Sequence, residues 1–418
     1  MNNCLILLTN YYPFYKGEEY LESEIEHLSK NFKDIYIIST MVSDNMEQTR
    51  KVPKNVNVLP IGINHSKLGK LKMVVNQFNN INKDKEKRQV INKDSKNKIV
   101  NKLYCYYFES RAMDVYEKLE RILDKYDFEQ YTNITIYSYW LYITARVGVE
   151  LKNKYFKDKY TYTISRAHRY DLYEYAAPLK YLPQREYLLS SIDRIYPCSQ
   201  DGVDVLNETY PKYKNKIEVG RLGTISTNIL GNLDNKELNI VTCSALRKVK
   251  RVDLLIETLY ELENLSIPYK WTHIGDGPEF EKIKELATKK LDNRNFKFEG
   301  FLKNKDVLRW YEKNKVTVFV NLSESEGVPV SIMEAMSISV PIVATDVGGT
   351  REIVKNEYNG YLIDKECKID QVVEVFIKLY NMDEDEYKKL SKNSFEIWSD
   401  LCDANKIYSN FANKLSNS

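Results

Sequence analysis

The segment Ser323-Glu-Ser-Glu-Gly-Val-Pro-Val-Ser-Ile-Met-Glu-Ala-Met-Ser337 carries two carboxylates, Glu326 and Glu334, with seven residues between them. It follows an apolar run, Val316–Asn321, that reads as a strand. Pro329 suits the first turn of a helix, where its missing N–H costs nothing. Glu326 then falls in a loop and Glu334 on the helix. A helix start presents unpaired N–H groups and the positive end of the helix dipole, which suits a phosphate. Gly327 lets a ligand come close to the backbone that continues through Val328, Pro329 and Val330. Carboxylates placed there accept hydrogen bonds from sugar hydroxyls, and one near an anomeric carbon stabilises oxocarbenium charge. Taken alone, the pair also fits an ordinary acidic helix start.

Glu326, the seven residues and Glu334 resemble the E-x7-E signature of retaining GT-B glycosyltransferases, in particular glycosyltransferase family 4. The surrounding Glu-Gly-Val-Pro and Glu-Ala-Met, and Pro341-Ile-Val-Ala-Thr-Asp-Val-Gly-Gly349, are similar to that family too. The resemblance covers most of residues 238–364. It implies an α/β chain of two Rossmann-like domains whose parallel sheets face each other across a cleft. It implies that Glu326 contacts the donor sugar and that Glu334 binds the donor ribose.

A second segment, Ser244-Ala-Leu-Arg247-Lys-Val-Lys250-Arg251, follows a strand and opens a helix. A glycosyl donor loses a nucleoside diphosphate, and cationic side chains neutralise that charge without a metal. Lys250 ranks first for this role, then Arg247, then Arg251. The family commonly has an arginine five residues before the lysine. Ala245 stands there, a departure that keeps a non-catalytic scaffold subunit in play. By resemblance, Gly275 and Gly277 form a loop near the nucleotide, and Phe301 and Leu302 belong to the segment that meets the base. Gly17 lets donor phosphate or acceptor approach, and His168 hydrogen-bonds the donor sugar or its phosphates. Without the resemblance these glycines read as turns and His168 as a loop residue. His27, His65 and His273 lack such a setting. Tyr139 and Trp140 read first as core aromatics, with sugar stacking as the alternative.

Alternating elements must position these residues. In the first half, strands are expected at Cys4–Leu8, Asp34–Thr40, Ile134–Tyr139 and Tyr160–Ser165. A loop at Tyr11–Gly17 leads to a helix from about Glu18. In the second half, strands are expected at Leu238–Ala245, Trp271–Ile274, Phe296–Glu299, Val316–Asn321 and Pro341–Thr345, with helices at Val252–Glu263, Glu279–Thr288, Lys305–Asn314 and Val330–Ser337. Such a series makes a parallel sheet whose strand C-termini share one edge, where ligands bind. The domains are read as 1–220 on the acceptor side, interrupted by a basic insertion near 67–102 (helices with a mobile loop), and 221–395 on the donor side. The linker lies near Arg221–Lys236. Residues 396–418, part of a helical stretch Asp383–Lys414, are implied to cross back to the first domain.

The chain has 418 residues and a net charge of +3, with 43% hydrophobic and 29% charged residues, a globular composition long enough for two domains. Lys67 to Lys102 holds 11 basic and 3 acidic residues, a local +8. That suggests either a solvated face or peripheral contact with an anionic membrane. Nucleic acid is not expected, since no recognition module accompanies the patch. The six scattered cysteines read as reduced core thiols. With no leader-like start and no long apolar run, they predict a cytoplasmic protein, peripheral at most at the inner face of a membrane. No metal or other cofactor is expected, and Asp383-Glu-Asp385 reads as a helix start. The resulting expectation is transfer of a hexose-type sugar, with retention, from a UDP-linked donor to a glycan or lipid-linked glycan acceptor in bacterial surface polysaccharide synthesis. A nucleotide-sugar epimerase is the enzymatic alternative.

Overall fold

The computed structural model describes residues 2–14, 17–43, 45–63, 66–96, 98–226 and 237–418, with the side chains of 304 and 305 set aside. Parts of the Tyr11–Gly17 loop, His65, and most of the linker expected at Arg221–Lys236 therefore lie outside the described residues. The chain divides into two compact units: Met1–Arg221 with Tyr408–Ser418, and Leu222–Ile407.

The first unit holds a six-stranded sheet in the order β3-β2-β1-β4-β5-β6. Its strands are β1 (Asn3–Thr9), β2 (Asp34–Ser39), β3 (Val56–Pro60), β4 (Asn133–Ser138), β5 (Thr161–Ala167) and β6 (Arg194–Pro197). The second unit repeats the plan in the order β12-β11-β10-β7-β8-β9. Its strands are β7 (Leu238–Cys243), β8 (Tyr269–Ile274), β9 (Phe296–Gly300), β10 (Val318–Asn321), β11 (Ile342–Thr345) and β12 (Gly360–Ile363). Every pairing is parallel. Parallel strands with helices on both faces are apolar almost throughout, and β1 is buried along its whole length.

Alternation of side chains divides each strand between two half-cores. In the second unit, Ile240, Val318, Val320 and Val343 pack with the helices Val252–Asn264 and Ile369–Asn381. Val241, Phe319, Ile342 and Ala344 pack on the other face with Val330–Met336 and Glu384–Leu401. In both sheets the strand order reverses beside the first strand, between β1 and β4 and between β7 and β10. The crevice outside the strand C-termini at such a reversal is where doubly wound sheets take ligands.

The structure differs from the sequence reading in several places. Strands β3, β6 and β12 are only four or five residues long and end or begin in Pro, Arg or Gly, so their patterns were too short to stand out. The first helix starts at Leu21, not Glu18, because Glu18 has a left-handed backbone (φ 59°) and turns its carboxylate back into the loop. The basic insertion forms three helices, Lys67–Lys83, Lys85–Asp94 and Ile99–Leu123. The C-terminal stretch breaks into Glu384–Leu401 and Ala404–Ser416, and residues from Tyr408 onward group with the first unit.

Two glycines make a sharp comparison. A Cβ on Gly275 would lie 1.9 Å from the backbone oxygen of Ser244, whereas one on Gly300 would meet nothing within 4 Å. Both have positive φ. Gly300→Ala should therefore cost only the left-handed backbone penalty, about 1–2 kcal/mol. Gly275→Ala adds a backbone collision and should cost more than about 3 kcal/mol. Urea unfolding of both variants checks the ranking, and equal losses would contradict the close approach.

Candidate functional site

Strands β7 and β10 are neighbours, with Val318 opposite Ile240 and Phe319 opposite Val241. The turns that leave their C-terminal ends, 244–251 and 322–329, must therefore run side by side. They are stitched together by main chain: the Glu324 N–H donates to the Val249 carbonyl at 2.9 Å. Across them the Lys250 ammonium donates to Glu326 Oε1 at 2.6 Å, and Asn321 Nδ2 donates to the same oxygen at 3.2 Å. The two charged side chains are 23% and 11% exposed, so the pair is largely withdrawn from water. Removing one partner would leave the other charge uncompensated. An ammonium has three donors, and Glu326 takes one.

The Glu326 turn is held from its other side by β11 and the turn after it. Thr345 Oγ1 donates to the Ser323 carbonyl at 2.5 Å, and the Gly349 N–H donates to the Gly327 carbonyl at 2.8 Å. A Cβ on Gly348 would lie 2.1 Å from the Glu326 carbonyl oxygen. Asn321 orders the start of the turn by accepting from the Ser323 N–H and hydroxyl at 3.1 and 2.5 Å. Neither Asn321 nor Thr345 was singled out from sequence. Asn321 carried a signal, a polar residue ending an apolar strand five positions before Glu326.

Glu334 is buried on the short helix Val330–Met336, whose cap residue Pro329 supplies no side-chain bond. Its charge is felt at the end of β7: burial first, and Glu334 second, push the Cys243 thiol up to about 12. Cys243 and Lys250 in turn line one pocket with Ser244, Asn321 and Leu322. The structure thus gathers Lys250, Glu326, Gly327 and Glu334 around the reversal of the second sheet. Val328 and Val330 are partly buried against the half-core beneath.

The other predicted positions are placed as follows. Arg247 is exposed and forms no ion pair among the described residues. Arg251, expected against substrate, straps two segments: Nε donates to the Leu322 carbonyl at 2.7 Å and a terminal nitrogen to the Lys365 carbonyl at 2.8 Å. A left-handed backbone at Arg251 (φ 46°) turns it that way. Gly275 and Gly277 press against the 244–246 backbone, where the Leu246 N–H donates to the Asp276 carbonyl at 2.9 Å. Close packing therefore accounts for these glycines, and it also shapes the Lys250 turn. Phe301 is exposed, while Leu302 packs partly into the half-core.

In the first unit, the β1–helix turn and the β4 turn flank the corresponding reversal. The Glu18 carboxylate accepts the backbone N–H groups of Asn10, Tyr11 and Tyr12 at 2.8, 2.8 and 2.7 Å, and the Trp140 indole N–H at 2.6 Å. Gly17 beside it has φ 93° and open space where a Cβ would stand. Tyr139 is buried, in agreement with a core role. His168, which the resemblance sets against the donor sugar or its phosphates, is hydrogen-bonded within the first unit. Its Nε2 must donate to the Tyr139 carbonyl at 3.0 Å, because a carbonyl only accepts. Nδ1 faces the Cys198 thiol at 3.2 Å. The ring also contacts Trp140, at 4.4 Å between centroids. Burial, then the Arg166 charge, lower its pKa to about 3. Both nitrogens are thus engaged inside the first unit and the ring is neutral.

Among the described residues, no cluster of His, Cys, Asp or Glu could hold a metal ion. No helix of the described chain is long and apolar enough to cross a membrane.

With this geometry in view, comparison with known proteins is informative. Residues 231–396 match the family described as Glycosyl transferases group 1. The match falls within the second unit. The matched residues include Lys250, Glu326 and Glu334. The GtfA subunit of a UDP-N-acetylglucosamine--peptide N-acetylglucosaminyltransferase from Streptococcus agalactiae is 29% identical over 183 residues, which is 42% of this chain and 35% of that protein. The match thus spans about a third of the relative's length. Among solved structures, the apo form of the lipopolysaccharide outer core galactosyltransferase WaaB aligns over 99% of both chains with TM-score 0.69 and 15% identity. Anabaena Alr3699/HepE in complex with UDP-glucose aligns over 99% of this chain and 100% of its own, with TM-score 0.66 and 14% identity. Both units together therefore have the GT-B fold.

The His168 ring gives a direct electrostatic prediction. An unfolded imidazole takes up a proton near pH 6.5, whereas the folded ring stays neutral down to about 3. The unfolded chain binds the extra proton in that window, so this residue reduces stability as pH falls from about 6.5 to 3. NMR of the His168 ring should show no titration between pH 7.5 and 4.5. A midpoint near 6.5 would contradict the arrangement.

Proposed function

We propose that this protein is a retaining glycosyltransferase of the family 4 type, with a UDP-linked hexose as donor and a hydroxyl of a glycan, free or lipid-linked, as acceptor. The observation that carries the reading is the Lys250–Glu326 pair at the strand reversal of a glycosyl transferases group 1 domain. An ammonium held by a single carboxylate can exchange it for a diphosphate of greater charge, at little cost in reorganisation. Glu326, released from Lys250 but still tied to Asn321, then accepts hydrogen bonds from the donor sugar. Glu334 accepts from the ribose. Leaving-group charge grows on the diphosphate as the glycosidic bond breaks, and Lys250 stabilises it where it develops. Arg247, exposed one turn earlier, is the second cation within reach of an extended diphosphate.

Support for the donor class comes from the HepE structure, which holds UDP-glucose, and from the UDP-N-acetylglucosamine named for the GtfA enzyme. Support for surface polysaccharide synthesis comes from the lipopolysaccharide galactosyltransferase that shares the fold.

The reading is tested by incubating the purified chain with UDP-glucose, UDP-galactose and UDP-N-acetylglucosamine and measuring binding by calorimetry. One of them should bind. Glu334→Ala should weaken it at least about tenfold, the effect of losing a charged hydrogen-bond partner. Glu326→Gln should lower kcat about 100-fold with a small change in KM, since it acts on charge that develops at the sugar. Binding of none of the donors, or a Glu334→Ala variant with unchanged affinity, would refute the assignment.

A further inference from the structure

The helix Lys67–Lys83 has an unusual distribution of apolar residues. It buries Met73, Gln77 and Ile81, one stripe at helical spacing, and packs on the helix Ile99–Leu123, where Phe78 lies 5.5 Å from the Tyr106 ring. A helix docked this way normally turns polar residues to water. Here Leu68, Leu71, Val75 and Phe78 are 80%, 62%, 61% and 49% exposed. At 100° per residue these four fall within an arc of about 80°, centred about 140° from the buried stripe. The helix therefore has two apolar faces: one is covered, and on the other Leu68, Leu71 and Val75 stand open while Phe78 is half-covered by Tyr106. At the start of the next long helix, Ile99, Val100 and Leu103 are also exposed. Exposed apolar side chains that share one helix face mark a surface that meets a partner.

Charge identifies the partner. The helix Lys67–Lys83 carries four lysines and no acidic residue. Lys67 and Lys72 border the exposed stripe on its two sides, and Lys67, Lys70 and Lys72 form no ion pairs among the described residues. Lys98 and Lys102, beside the exposed residues of the long helix in sequence, are exposed as well. Of the basic residues in the insertion, Lys87 is drawn inward, to Glu150 at 3.1 Å and Glu109 at 3.7 Å. Lys93 pairs with Glu186 on the surface, at 3.5 Å. Docking a second copy of the chain on this face would bring two strongly basic segments together, which is unfavourable. A narrow apolar stripe edged by lysines instead matches the boundary between headgroups and acyl chains in an anionic bilayer. There the apolar side chains enter the acyl region while the ammonium groups extend to phosphates.

We propose that the exposed Leu68–Leu71–Val75–Phe78 face, with its bordering lysines, is a membrane-docking surface that lies in the interface of an anionic bilayer. It is independent of the glycosyl-transfer reading, because vesicle binding is measured without donor or acceptor.

The test is flotation of the full chain with vesicles of phosphatidylcholine alone and of phosphatidylcholine with about one-third phosphatidylglycerol. The wild type should float with the anionic vesicles at about 50 mM salt, at least about tenfold more than with the neutral ones. The double variant Lys67→Glu/Lys72→Glu should lose about tenfold or more. Leu71→Glu/Phe78→Glu should lose binding to a similar or greater degree, because burial of the stripe is removed. All four positions are exposed, so circular dichroism and melting should confirm that both variants fold. The proposal is overturned if the wild type stays with the lipid-free fraction, or if Leu71→Glu/Phe78→Glu floats as well as the wild type. It is also overturned if the wild type is a dimer by light scattering that this variant converts to monomer without either binding lipid.

Discussion

The contact on which the second unit's site depends is the largely desolvated ion pair between Lys250 and Glu326. It ties together the two turns that leave neighbouring strands at the point where strand order reverses. Both turns are held in place by main chain, through Glu324 to Val249 and through Gly349 to Gly327, so the pair is positioned by backbone rather than by two flexible side chains alone. The first unit has a related device at its own reversal, with one difference. There the carboxylate, Glu18, is saturated by three backbone N–H groups and an indole, all fixed donors. In the second unit the principal donor is a lysine, which can move to another anion. The same topology thus gives a carboxylate held by fixed donors in one unit and a lysine–carboxylate pair in the other.

Much of the second unit was legible from sequence, because its strands are apolar runs separated by amphipathic helices of ordinary length. The turn carrying Glu326 and the one carrying Lys250 were both placed correctly between elements, and their side-chain pairing follows from β7 and β10 being neighbours. Sequence could not show that pairing, because adjacency in a sheet is set by topology, not by separation along the chain. The first helix was misplaced for a local reason: Glu18 is a good helix former, but its carboxylate is needed by the preceding loop. Arg251 and His168 make contacts that residue type does not reveal. Residue type signals available charge or hydrogen bonding, yet the Arg251 donors are engaged by carbonyls and both His168 nitrogens by the chain around them.

The basic insertion shows the opposite limit. Its charge was evident from composition, but the apolar face of Lys67–Lys83 emerged only once burial separated Met73, Gln77 and Ile81 from the exposed stripe. A helix with apolar residues on two faces has a weak periodic signal, so sequence pattern alone blurs the two. The glycines at 275, 277 and 348 are similar cases. The resemblance sets Gly275 and Gly277 near the nucleotide, and the structure shows these two and Gly348 pressed against neighbouring backbone. They act on the site indirectly, by allowing the turns that carry Lys250 and Glu326 to pack closely.

The central claim is that Lys250 exchanges its carboxylate partner for a nucleoside diphosphate. Calorimetric titration of UDP into the wild type and into Lys250→Met tests this most directly, with Glu326→Gln as the companion. The account predicts that Lys250→Met weakens UDP at least about tenfold, as expected for loss of a charged phosphate contact, while Glu326→Gln binds UDP as well as the wild type or better. Equal UDP affinity in Lys250→Met and the wild type, with both proteins folded, would contradict it.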